Sequence, residues 1–222
     1  MIYTVNEHFY TFQGEGDHMG RASYFIRLQG CDQACVWCDA ASTWHKDWKP
    51  SNLWKGTAEE VADLVGDAGR VVITGGEPCL YDLDTLIGAL KREVAVETAG
   101  HKPLPVVDCW ITLSPKPDGI HPLTESVMRA DEFKIIVSDA DTLQRGLDCI
   151  EARDPNSSVW LHPEWSKRDD ASVIRLIVDT VKEMGDPFRA GWQVHKNYMA
   201  DLMDKNSRKE YVPLGGTDGD PY

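Results

Sequence analysis

Six short apolar runs, most of them ended by glycine or a turn and separated by stretches of helical period, constrain this chain more than any other feature. Residues 23–28 (SYFIRL), 70–74 (RVVIT), 94–98 (VAVET), 107–113, 132–137 and 158–161 have the length and the β-branched and aromatic content of buried strands. Between them, Thr57-Ala-Glu-Glu60 forms a capping box, followed by Val61, Leu64 and Val65 at helical spacing. Residues 83–92, 141–152 and 170–184 also read as helices, with Asp139 or Asp141 and Asp169 or Asp170 as N-caps. Strands alternating with helices predict an α/β domain: a parallel sheet with outer helices and ligands at the carboxyl ends of the strands. No repeat or linker divides the chain, so 1–222 is expected to be one domain. The terminal GGTDGDPY is too rich in glycine for a core element.

Composition excludes several classes. At 42% hydrophobic the chain can fill a core. No run approaches the roughly 18–20 apolar residues of a membrane span, and the first residues lack a basic and an apolar leader segment. A net charge of −13 and a pI near 4.9 argue against tracking along nucleic acid. The expectation is a soluble, cytoplasmic protein with neither a membrane nor a nucleic-acid partner.

Three of the six cysteines, Cys31, Cys35 and Cys38, fall within eight residues just after the first apolar run. A disulfide scaffold would be shorter and denser in cysteine, so the trio reads as metal or cluster ligation. Three thiolates on one loop can hold three corners of an iron–sulfur cubane and leave the fourth iron open, which suits a substrate that must coordinate it. The alternative is a Cys3His zinc site with His45 as fourth ligand. Cys79, Cys109 and Cys149 stand apart in or beside apolar segments and are expected to pack in the core. A second signal, Thr74-Gly75-Gly76-Glu77-Pro78, ends the next apolar run at the same sheet edge. Its glycines permit close approach of backbone to a ligand, and Glu77 is suited to an ammonium group.

Together these motifs resemble the radical S-adenosylmethionine (SAM) superfamily. The resemblance implies a partial (β/α)6 barrel, open on one side. Cys31, Cys35 and Cys38 would hold a [4Fe–4S] cluster, and SAM would chelate its open iron. Gly75, Gly76 and Glu77 match the SAM-binding turn, Trp37 the aromatic near adenine, with Asp39 beside the last cysteine. One electron, from a flavodoxin- or ferredoxin-like donor, would cleave SAM and generate a 5′-deoxyadenosyl radical. The acidic surplus requires local cations for such a donor, such as Lys46, Lys49 and Lys55.

Further residues narrow the likeness. Phe12-Gln13-Gly14-Glu15-Gly16 precedes the first run and Arg27 lies within it; Glu97-Thr98, Ser114-Pro115-Lys116 and Gln193-x-His195-Lys196 follow. With Cys38-Asp39-Ala40-Ala41-Ser42-Thr43-Trp44, their order is similar to that of the 7-carboxy-7-deazaguanine synthase family. The resemblance implies radical-mediated ring contraction of 6-carboxy-5,6,7,8-tetrahydropterin, with loss of ammonia. Arg27 would grip the carboxylate; Phe12, Gln13, Gly14, Glu15, Thr74 and His195 would line the pterin site, and Ser114 and Lys116 would contact SAM. It further implies a homodimer and the approach of the C-terminal Tyr222 to the substrate.

One departure concerns Mg2+. The family commonly has Ser or Thr where this chain has Ala40, which offers no oxygen; either Asp39, Ser42 or Thr43 substitutes, or substrate and waters hold the ion, or this member is metal-independent. Trp44, Trp48 and Trp54 are expected to cover the site or a dimer face. Two competing readings make different demands. A glycyl-radical-enzyme activase shares the cysteine loop but needs a protein partner, and a zinc-stapled binding module would be indifferent to SAM.

Overall fold

The computed structural model describes residues 1–207, so the expectation for Tyr222 lies outside the described residues. The chain folds as β1 (Tyr3–Phe12), β2 (Ala22–Leu28), β3 (Trp54–Gly56), α1 (Ala58–Val65), β4 (Arg70–Gly75), α2 (Leu83–Leu90), β5 (Glu93–Thr98) and β6 (Trp110–Leu113). It continues through α3 (Thr124–Arg129), β7 (Glu132–Val137), α4 (Ala140–Asp148), β8 (Ser158–Pro163), α5 (Ala171–Met184), β9 (Phe188–Ala190) and α6 (Val194–Tyr198). Among the described residues all nine strands form one sheet in the order β3-β1-β2-β4-β5-β6-β7-β8-β9. From β2 to β9 every pairing is parallel, while β1 runs antiparallel to both β2 and β3. The sheet stays open between β3 and β9, consistent with a partial barrel.

The six expected strands are present and parallel, with one correction in length. The run at 107–113 enters the sheet only at Trp110; Val106 and Val107 are exposed, and the Val107 amide donates to Asp84 Oδ1. Three further strands lacked a continuous apolar signal. β1 is interrupted by Asn6, Glu7 and His8, and β3 and β9 have three residues each. Trp54 lies in β3 against the main core rather than over the site. Helix α3 has no side-chain cap and so no start signal. The capping box of Thr57 with Glu60 and the caps at Asp139 and Asp170 form as expected.

Strand parity divides the sheet into two faces. The outer face, including Ile26, Ile73, Val96, Ile111, Phe133 and Leu161, packs with the apolar sides of α1, α2 and α5 into the main core. The inner face carries one apolar band, where Phe9, Phe25, Val72 and Ala95 cluster, between Ser23, Arg70 and Glu93 at the amino ends of the strands and the site. Toward the carboxyl ends of the strands the inner positions turn polar: Arg27, Thr74, Glu97, Ser114 and Lys134. Cys79, Cys109 and Cys149 are half-buried at the margin of the main core, not inside it.

Candidate active site

The polar inner face and the loops at the carboxyl edge enclose a cavity of about 700 Å³. Its cysteine wall begins where β2 ends. Cys31, Cys35 and Cys38 are unpaired thiols that line it together. Burial pushes all three thiols up, Cys38 to about 11, so each gives up a proton when it ligates a metal. The turn after β4 lies directly against this loop. The Gly76 amide donates to Leu28 O at 3.1 Å and the Glu77 amide to Gly30 O at 2.8 Å. A Cβ on Gly76 would sit 2.1 Å from Gly30 O, so the approach requires glycine.

Glu77 is 1% exposed and its carboxylate serves the fold. It accepts from Thr98 Oγ1 at 2.6 Å, the Ala99 amide at 2.9 Å and the Cys79 amide at 3.0 Å, which joins the exits of β4 and β5. The exit of β6 supplies Lys116, whose Nζ donates to Ser114 O and Oγ at 2.8 Å each and stands 5.4 Å from the centre of the Trp37 ring. Burial lowers the Lys116 pKa. Trp37, Ser114 and Lys116 thus meet on one wall, although 77 and 79 positions separate Trp37 from the last two.

The opposite wall is built from ion pairs. Arg27 Nε donates to Glu7 Oε1 at 2.7 Å, Lys134 pairs with Glu15, and Lys196 Nζ reaches Asp39 Oδ2 at 3.3 Å beside Gln193 Nε2, also at 3.3 Å. Burial alone would raise the Glu15 carboxyl, but Lys134, His162 and His195 hold it well below the usual carboxylate range. Asp39 opens onto the cavity; Lys196, Arg27 and Lys134 likewise outweigh the effect of burial and lower it. Glu97 accepts from Gln13 Nε2 at 2.8 Å and Thr74 Oγ1 at 3.1 Å, while Gln13 Oε1 takes the Glu15 amide at 3.1 Å. Gly14 lies under His195, where a Cβ would come 2.1 Å from Nδ1, and its carbonyl accepts from the Val194 amide, so α6 is fastened to the end of β1. Phe12 lines the cavity edge-on to Tyr198.

Of the described residues predicted from sequence, all but two line the cavity. Gly14 backs it under His195, and Thr43 is fully buried with its hydroxyl donating to Ala40 O at 2.7 Å. Ser42 lines the cavity, with Oγ 3.4 Å from Asn6 Oδ1. His45 stacks on Trp48 at 4.2 Å instead of joining the thiols, and among the described residues no group of three or more His, Cys, Asp or Glu could hold a single metal ion. Lys134 and Glu7 escaped sequence reasoning as site residues. The available signal, for Lys134, was a lysine amid the apolar residues of EFKIIV, at an inward-facing position.

No family model matches the chain. Curated relatives do. The 7-carboxy-7-deazaguanine synthase of Flavobacterium psychrophilum is 36% identical, over 86% of this chain and 89% of its own length. That of Escherichia coli K12 is 34% identical, over 88% and 98% respectively. That of Synechocystis is 38% identical, over 73% and 78%. The crystal structure of QueE from Escherichia coli superposes with a TM-score of 0.74 at 30% identity, covering 88% of this chain and 95% of that one. The chain belongs to the 7-carboxy-7-deazaguanine synthase family.

Proposed function

We propose that this enzyme converts 6-carboxy-5,6,7,8-tetrahydropterin to 7-carboxy-7-deazaguanine and ammonia, using SAM and a [4Fe–4S] cluster. One observation carries the proposal: three thiols of a single loop and two sets of polar side chains converge on one enclosed cavity at the carboxyl edge of a parallel sheet. The donor set suits an iron–sulfur cluster, being three soft thiols of one loop. Bound there, the cluster supplies the single electron that cleaves SAM, drawn in turn from a flavodoxin- or ferredoxin-like donor.

The protein's own contribution is placement. Lys116, held by Ser114, faces the carboxylate of SAM, and Trp37 offers its ring to the adenine. Glu77 keeps the Gly75–Gly76 turn pressed against the cysteine loop, so that this turn shapes the wall at the amino end of SAM. On the facing wall Arg27 meets the pterin carboxylate, its fork oriented by Glu7 at Nε. Gln13, Glu15, Thr74 and His195 meet the donor and acceptor edges of the ring, and Phe12 packs at the rim. A cavity of this size suits a small molecule, which favours the pterin over the protein partner of an activase.

The residues offer a magnesium ion little. Ala40 has no donor, Thr43 is fully buried with its hydroxyl donating to Ala40 O, and Asp39 Oδ2 already receives Lys196 and Gln193, which leaves Ser42 Oγ and the second Asp39 oxygen. Magnesium takes oxygen ligands in near-octahedral array. A homodimer is part of the proposal on family grounds; among the described residues no helix is long and apolar enough to cross a membrane.

Anaerobic reconstitution with iron and sulfide tests the cofactor assignment. The wild type is expected to turn brown and cleave SAM under dithionite, whereas Cys35→Ala does neither. A colourless wild type that retains zinc would overturn it.

A further inference from the structure

We infer that Gln33 is a positioning residue that couples the cysteine loop to the loop carrying Lys116. The inference rests on the cluster and SAM reading above. Gln33 lies between Cys31 and Cys35, is 8% exposed, and uses both N–H groups and the oxygen of its amide. Its Oε1 accepts from the Ile120 amide at 2.8 Å; its Nε2 donates to Ile120 O at 2.9 Å and to His101 Nδ1 at 2.9 Å. The reverse orientation of the amide would set an N–H against the N–H of Ile120, so the network fixes it. A Cβ on Gly119 would lie 2.1 Å from Gln33 Oε1, so the amide reaches Ile120 only past a glycine.

Because His101 Nδ1 accepts, its proton sits on Nε2 and is donated to Asp32 Oδ1 at 2.6 Å; Lys102 Nζ meets Asp32 Oδ2 at 2.8 Å. A continuous chain therefore runs from Lys102 through Asp32, His101 and Gln33 to Ile120. It crosses from the exit of β5, through the cysteine loop, to the exit of β6. The Gly119 amide closes a turn onto Lys116 O at 2.9 Å, so holding Ile120 holds Lys116. The centre of this network, Gln33 and His101, is buried while Asp32, Lys102 and Ile120 reach solvent, so removing a central member frees both loops at once. Coupling of this sort is reciprocal: SAM on Lys116 tightens the cysteine loop by the same factor as the cluster tightens SAM binding.

The test measures iron release from reconstituted protein to a ferrous chelator, with and without SAM, in wild type, Gln33→Ala and the near-isosteric Gln33→Glu. Circular dichroism checks that each variant is folded. SAM is expected to slow release in the wild type by about 5-fold or more, and both variants are expected to lose part of that protection, the remainder being SAM's own chelation of the open iron. The ratio of SAM affinities between loaded and cluster-free protein should fall in parallel, measured by equilibrium dialysis without turnover. A merely structural role would accelerate release equally with and without SAM and leave the ratio unchanged, which overturns the proposal. So would loss of the fold in both variants, which would make Gln33 a folding residue. A wild type that takes up no cluster overturns the underlying reading instead.

Discussion

The two walls of the cavity are held by different physics. The cysteine wall is fixed mainly by short hydrogen bonds to backbone and neutral groups and by glycine close approach: Gly76 against Gly30, Glu77 to Thr98 and Ala99, Gln33 to Ile120. The facing wall is fixed by three ion pairs, Arg27 with Glu7, Lys134 with Glu15 and Lys196 with Asp39. On the proposed function the contrast suits the two guests: a cluster and SAM would bring their own charge and need geometry, whereas a planar anion with mixed edges would need donors and acceptors already oriented. Each cation on the second wall has a carboxylate at hand, and Glu97 is held by the neutral donors Gln13 and Thr74.

The largest expected effect comes from breaking an ion pair. Lys134→Met leaves the Glu15 carboxylate buried without its ion-pair partner, at a cost of about 3–5 kcal/mol. Thermal unfolding should report a fall of roughly 6–20 °C for a chain of this size; a variant that melts with the wild type would show that the pair is not desolvated.

A pH scan sharpens the same contrast at His162. This residue is fully buried on the inner face near Glu15, Lys134 and His195, and neither ring nitrogen has a hydrogen-bond partner among the described residues. Burial first, then Lys134 and His195, lower its pKa to about 4 against the opposing pull of Glu15. The unfolded chain takes a proton there below about 6.5, the folded chain only near 4. Stability therefore falls as pH drops through that window, by about 3 kcal/mol from this group. Denaturant titrations of His162→Phe between pH 7 and 4 should show a flatter decline than the wild type, and an equally steep one would contradict the assignment.

On the cysteine wall, Glu77→Gln keeps the shape but replaces one acceptor by a donor facing Thr98, Cys79 or Ala99. A loss of about 1–3 kcal/mol is expected, with faster iron release after reconstitution. Retention of iron at the wild-type rate would show that the bond to β5 does not brace the loop. The smallest effect is that of Mg2+. Added to metal-free assay buffer it should leave turnover unchanged, and a clear dependence would mean that Ser42 or Asp39 ligates after all.

What was legible in the sequence follows the range of the interactions. The outer face was read from its apolar runs and three helix starts from Thr57, Asp139 and Asp170, because caps and alternation are local. The cysteines, the Gly75–Glu77 turn and Ser114–Lys116 were legible as short motifs for the same reason. The partners that hold them were not: Gln33 meets Ile120 across 87 positions, and Lys134 meets Glu15 across 119. Nothing in a local window pairs such residues. β1 was missed because its buried positions are interleaved with Asn6, Glu7 and His8, two of which serve Gln29 and Arg27 rather than the core.

The central claim is that the two walls serve one reaction. Reconstituted enzyme given dithionite, SAM and 6-carboxy-5,6,7,8-tetrahydropterin under anaerobic conditions tests it most directly, with products followed by mass spectrometry. Formation of 7-carboxy-7-deazaguanine that disappears in Cys35→Ala on one wall and falls sharply in Arg27→Met on the other is the predicted result. A brown protein that cleaves SAM and leaves the pterin untouched would contradict the account.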